Sequence, residues 1–93
     1  MKFKLGNLYA TQGIVAKCKE NSNFNDFVKR CVSRHVNADW GEMSEEDKNS
    51  NNLALINADD RIFSSYRYDE NIKVWVITEM DRSSTTILFP SEY

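Results

Sequence analysis

Apolar side chains recur with two different periods along this chain, and the change falls near Arg61. Phe24, Phe27, Val28, Cys31, Val32 and Val36 are spaced so that they share one side of a helix, with His35 on the same stripe. Lys29, Arg30, Ser33 and Arg34 fall on the opposite side. The pattern predicts a helix over 24–37, capped by Ser22 or Asn23 and ended by Asp39-Trp40-Gly41. A shorter helix over 12–20, capped by Thr11, would turn Ile14, Val15 and Cys18 inward. Ser44-Glu45-Glu46-Asp47 resembles a capping box and opens a third predicted helix, running to about Asn57 and burying Leu53 and Ile56. Three acids in its first turn suit the positive end of the helix dipole. Residues 3–10 read as a short strand or an extended entry segment.

Beyond Arg61 the period becomes two. Ile62–Tyr68, Ile72–Met80 and Thr85–Phe89 read as strands, joined by turns at Asp69-Glu70-Asn71 and Asp81-Arg82-Ser83 and closed by Pro90. The expected fold is a single α+β domain over 1–93. It has an N-terminal strand or extended segment, two to three helices, then a three-stranded antiparallel meander packed against the helices. An edge of that sheet, if uncovered, offers a pairing site for a homodimer, and the pattern does not decide whether it is covered.

Composition narrows the class. Of the 93 residues 41% are hydrophobic and 28% charged, a globular balance rather than a disordered one. No apolar run approaches the roughly 20 residues of a membrane-spanning helix, so no membrane partner is expected. Met1-Lys2-Phe3-Lys4 is followed by no apolar stretch, so a signal peptide is not expected. With only Cys18 and Cys31, a cytoplasmic, reducing setting is expected.

The net charge of −2 hides a polarised layout. Residues 1–36 carry seven basic and two acidic side chains, and residues 37–60 carry one basic and seven acidic. Lys29, Arg30 and Arg34, with Lys17 and Lys19 near in sequence, form a candidate phosphate-contacting face. The acidic balance and the lack of a nucleic-acid reading motif weigh against direct nucleic-acid binding. The acidic 39–60 segment suits a basic protein surface, for instance one that normally holds nucleic acid. Trp40 reads either as a staple onto the core or as an exposed anchor for a partner.

Candidate chemistry is thin. Cys18, Cys31, His35 and Asp39 contain metal-ligand types, but without the close cysteine pair of most zinc sites. Cys31 and His35 have the types of a nucleophile and base, yet one helix face cannot readily place a substrate between them. Glu79, Asp81 and Arg82, with Ser83, Thr85 and Thr86, form either an acid–base cluster or a solvated turn. No cofactor is expected, and an enzyme built on these groups is the least favoured reading.

Two segments are more distinctive. One runs Arg34-His35, Asp39-Trp40-Gly41, Glu46-Asp47-Lys48 and Asn52. The other runs from Trp75 to Ser83, then Thr85 to Pro90, Glu92 and Tyr93. With Ala10-Thr11-Gln12-Gly13 they resemble the small plasmid-related protein family of bacterial mobile elements and phages. The resemblance covers nearly the whole chain and brings no catalytic residues with it. It implies a context in which small proteins act by binding a larger host protein, as inhibitors of CRISPR effectors do. The expectation is therefore a non-enzymatic binding protein of the anti-defence, anti-CRISPR type. Its expected partner is a larger host protein, such as a nucleic-acid-binding effector. The expected binding residues are Trp40, Glu42, Glu45, Glu46, Asp47, Asp81 and Arg82. The alternative is a nucleic-acid-binding accessory or regulatory protein using Lys29, Arg30 and Arg34.

Overall fold

A computed structural model describes residues 1–93. The elements are β1 (Asn7–Ala10), α1 (Gln12–Glu20), α2 (Ser22–Val36), α3 (Glu45–Asn57), β2 (Ile62–Arg67), β3 (Lys73–Thr78), β4 (Ser84–Leu88) and a 3-10 turn at Pro90–Glu92. The α+β class and the antiparallel β2–β3–β4 meander are as expected. The sheet, however, has four strands in the order β1-β4-β3-β2, with β1 parallel to β4. The entry segment is thus an edge strand, paired Asn7 with Ser84 through Ala10 with Ile87.

Local chemistry sets the helix ends. A single residue, Asn21, separates α1 from α2 and serves both. Its backbone N–H closes the last turn of α1 on Lys17, and its side chain accepts from the Phe24 N–H at 3.1 Å. The cap of α2 is therefore Asn21, not Ser22 or Asn23. Thr11 stands at the N-cap of α1, but its hydroxyl donates to Glu92 at 2.6 Å. The Glu92 carboxylate itself accepts from the Gly13 N–H at 3.1 Å and the Phe89 N–H at 2.9 Å. A carboxylate from the far end of the chain thus caps α1, where the helix dipole favours an anion. Ser44 caps α3 as expected, accepting from the Asp47 N–H at 3.1 Å.

Alternation divides the sheet into two faces. Tyr66, Val74, Val76 and Ile87 point toward the helices and meet Ile14, Phe24, Val28 and Cys31 in the main core. Phe63, Trp75, Ile77 and Leu88 point the other way, where no helix lies. There Tyr93 packs edge-on against Trp75 at 5.7 Å, and Arg61 lies over both Phe63 and Tyr93. That cover leaves Ile77 and Leu88 buried. A smaller core of Trp40, Ala54 and Ile62 joins α3 to the β2 edge.

One expectation for α3 fails. Leu53 is 57% exposed and Ile56 78%, while Asn51 and Ala54 are buried and Leu55 is half-buried. The Asn51 carboxamide fixes this orientation. Its nitrogen donates to the Phe63 carbonyl at 2.6 Å, and its oxygen accepts from the Phe63 N–H at 3.1 Å. With Asn51 inward, residues 54 and 55 lie within about 60° of it, and 53 and 56 are about 140–160° away.

Candidate functional site

Trp40 is buried, and its indole N–H donates to Asn52 Oδ1 at 2.9 Å. Phe3 and His35 pack against its ring. The ring is therefore a core residue and not the partner anchor expected of it. Gly41 follows at φ +78, and a Cβ there would run into the Ser65 carbonyl oxygen. This turn lays residues 40–42 along β2. The Ser65 N–H donates to the Trp40 carbonyl at 3.1 Å, and the Glu42 N–H to the Ser65 carbonyl at 2.6 Å.

Several charged candidates are committed inside the fold. Glu42 accepts from Arg67 at 2.9 and 3.0 Å and lies 3.8 Å from Lys73. The Arg67 guanidinium holds its carboxyl below the usual range. Arg34 grips Asp39 at 2.7 and 3.1 Å and stacks over Tyr66, whose hydroxyl donates to the Asp39 carbonyl at 2.6 Å. The basic face of α2 is thus reduced to Lys29 and Arg30, which stand exposed. Asp81 accepts from the Ser83 N–H at 2.9 Å, closing the β3–β4 turn.

Arg82 is a backbone clamp. Its guanidinium donates to the carbonyls of Asp60 at 2.8 Å, Glu79 at 3.1 Å, Met80 at 3.0 Å and Ala54 at 3.0 Å. It neither pairs with an acid nor faces a substrate-sized cleft. The bonds to Ala54 and Met80 draw the end of α3 against the β3–β4 turn.

His35 is fully buried and both ring nitrogens are bonded, Nδ1 to Ser64 Oγ at 2.6 Å and Nε2 to Thr78 Oγ1 at 2.9 Å. Thr78 Oγ1 meets Thr85 Oγ1 at 2.6 Å, and Thr85 donates to the Leu5 carbonyl at 2.7 Å. A carbonyl only accepts, so the Thr85 proton is spent there. Thr78 must then donate to Thr85, and His35 Nε2–H to Thr78. Burial pushes the His35 pKa down to about 4, so the ring is neutral, and Nδ1 then accepts from the Ser64 hydroxyl. Burial also pushes the Cys31 thiol up to about 12, away from nucleophilic use. No three His, Cys, Asp or Glu side chains converge as a metal set.

Beside these committed groups, α3 presents an exposed apolar surface. Leu53 and Ile56 project from α3, and Met80, itself 56% exposed, lies in the turn that Arg82 clamps to it. Exposed acids adjoin them along the chain: Asp59 and Asp60 after α3, and Glu79 and Asp81 on either side of Met80. Along α3, helical spacing puts Glu46 in line with Leu53 and Glu45 in line with Ile56. Glu45, Glu46 and Asp47 are exposed at the helix start, with Lys48 3.8 Å from Glu45. The residues missed in the sequence are therefore Leu53, Ile56 and Met80. The residue pattern carries no signal for them, since Asn49, Ser50, Asn51 and Asn52 are all polar and only the bonds from Asn51 to Phe63 select the inward face.

No protein-family model matches the chain, and no curated protein or solved structure matches it either.

Proposed function

We propose that this protein is a non-enzymatic binding module that docks on a basic surface of a larger host protein through the outward face of α3. Leu53, Ile56 and Met80 form the apolar centre, and Glu45, Glu46, Asp59, Asp60, Glu79 and Asp81 form the acidic rim. The observation that carries the reading is the exposure of Leu53 and Ile56 on a helix whose inward face is completed by Asn51 and Ala54. An apolar centre loses water on docking, and a charged rim steers and orients the partner. The resemblance to mobile-element proteins supplies a context for such a partner. The finer reading is an anti-defence inhibitor of the anti-CRISPR type, covering a host surface that otherwise holds nucleic acid.

Capture from a host extract tests the proposal. Wild-type protein is expected to retain a host protein at low salt and release it as salt rises. A Leu53→Lys, Ile56→Lys double variant is expected to retain far less. Undiminished capture by that variant would refute the α3 site. Phosphate binding by Lys29 and Arg30 is the competing reading, and it predicts retardation of DNA or RNA at low salt.

A further inference from the structure

β1 leaves a hydrogen-bonding edge unused. The Asn7 N–H donates to the Ser83 carbonyl at 2.9 Å and the Thr11 N–H to the Ile87 carbonyl at 3.1 Å. Odd-numbered residues therefore turn their amides toward β4, and the amides of Leu8 and Ala10 face away from the sheet. All four residues of β1 are exposed, including Leu8 at 51% and Tyr9 at 55%. The strand has no charge, no proline and no bulge, the devices that usually protect an edge.

We infer that β1 pairs antiparallel with β1 of a second copy, joining two four-stranded sheets across a two-fold axis at Tyr9. The extended stretch sets this register. Gly6 leaves it at φ +66, whereas Thr11 is still extended at φ −67, ψ 164. The usable segment is Asn7–Thr11, and Tyr9 is its centre. Leu8 then lies opposite Ala10 of the second copy as a hydrogen-bonded pair, and Tyr9 lies opposite its own copy as a non-hydrogen-bonded pair.

Side chains and charge agree with that register. On the helix face the larger Leu8 meets the smaller Ala10. Beside Ala10 opens a groove of about 450 Å³ lined by Ile14, Val15, Cys18 and Val28, with Lys19 and Asn25 as its polar members. Leu8 of each copy covers the mouth of the other's groove. On the opposite face the two Tyr9 rings form a cross-strand aromatic pair. A two-fold axis sets like residues near one another, and five uncharged residues raise no repulsion there.

Sedimentation equilibrium on the full chain, from micromolar to millimolar concentration, should show a reversible species of twice 10.8 kDa. Leu8→Lys should weaken that association at least tenfold without shifting the thermal melt of the monomer. In a Cys18→Ser background, mild oxidation should join Tyr9→Cys chains, whose Cα atoms meet at about 4.5 Å. Asn7→Cys chains should stay apart, because that position and its copy are offset by about 14 Å along the strands. A monomer at every concentration would overturn the proposal, as would equal cross-linking of the two cysteine variants. A monomeric wild type whose Leu8→Lys form loses host-protein capture would assign the edge to a partner's strand and overturn pairing with a second copy.

Discussion

The two edges of the sheet are finished in opposite ways. At the β2 edge the Phe63 N–H and carbonyl are both taken by the Asn51 carboxamide. Those of Ser65 are taken by Trp40 and Glu42. At the β1 edge no segment of the chain lies alongside, and Leu8 and Tyr9 stand in the open. One edge is closed by a buried polar side chain and a turn that needs glycine, and the other carries apolar side chains and no protection. The contrast teaches that the chain seals one edge with its own groups and leaves the backbone of the other free to pair. It also explains α3: turning Asn51 inward to close β2 is what turns Leu53 and Ile56 outward.

The contrast breaks most severely at Asn51. Asn51→Leu keeps the size but strands the N–H and carbonyl of Phe63, at roughly 1–3 kcal/mol for each buried group left unpaired. With two such groups, a loss of roughly 2–6 kcal/mol is expected in urea unfolding, with α3 exchanging its amide hydrogens faster.

A second expectation concerns the interior between the edges. Burial lowers the His35 pKa from 6.5 to about 4, so the unfolded chain binds the proton more readily. The stabilisation is fully present above about pH 6.5 and is lost as pH falls toward 4. Over that window His35 alone should remove roughly 3 kcal/mol. The pH dependence of urea unfolding measures this, and His35→Gln should flatten the profile while lowering stability throughout.

Smaller effects sharpen the picture. Glu92→Ala removes the carboxylate that caps α1 from the far end of the chain. It should cost about 1 kcal/mol, as helix caps commonly do, and lower the melting temperature. Removing residues 89–93 should destabilise further by also uncovering Trp75. Least of all, Leu53→Lys with Ile56→Lys should change stability by under about 0.5 kcal/mol, as exposed substitutions usually do. A larger loss in thermal melts would mean that these side chains serve the fold.

Much of the fold was legible because local periodicity carries it. The stripe from Phe24 to Val36, the Ser44 cap and the turns at Asp69 and Asp81 all depend on neighbours in sequence. The parallel pairing of β1 with β4 was not legible, because it joins residues some 77 positions apart. Asn7-Leu8-Tyr9-Ala10 also carries little alternation. The inward face of α3 was not legible, because Leu53 with Ile56 is at least as hydrophobic a pair as Ala54 with Leu55. Only the bonds from Asn51 to Phe63 decide between them. The acids at Glu45, Glu46 and Asp47 were legible as a surface, whereas Trp40, Glu42 and Arg82 turned out to be spent on the fold. Many residues of the two distinctive segments and of Ala10-Thr11-Gln12-Gly13 are likewise structural: Thr11 with Glu92, Arg34 with Asp39, His35 with Thr78, and Trp40 with Asn52.

The most direct measurement is the affinity of a captured host partner for wild-type protein and for the Leu53→Lys, Ile56→Lys variant, each titrated against salt. The predicted result is wild-type binding that weakens as salt rises, and at least a tenfold loss in the variant, with both proteins melting at the same temperature. Equal affinities with parallel salt dependence would contradict the account and move the binding surface away from α3.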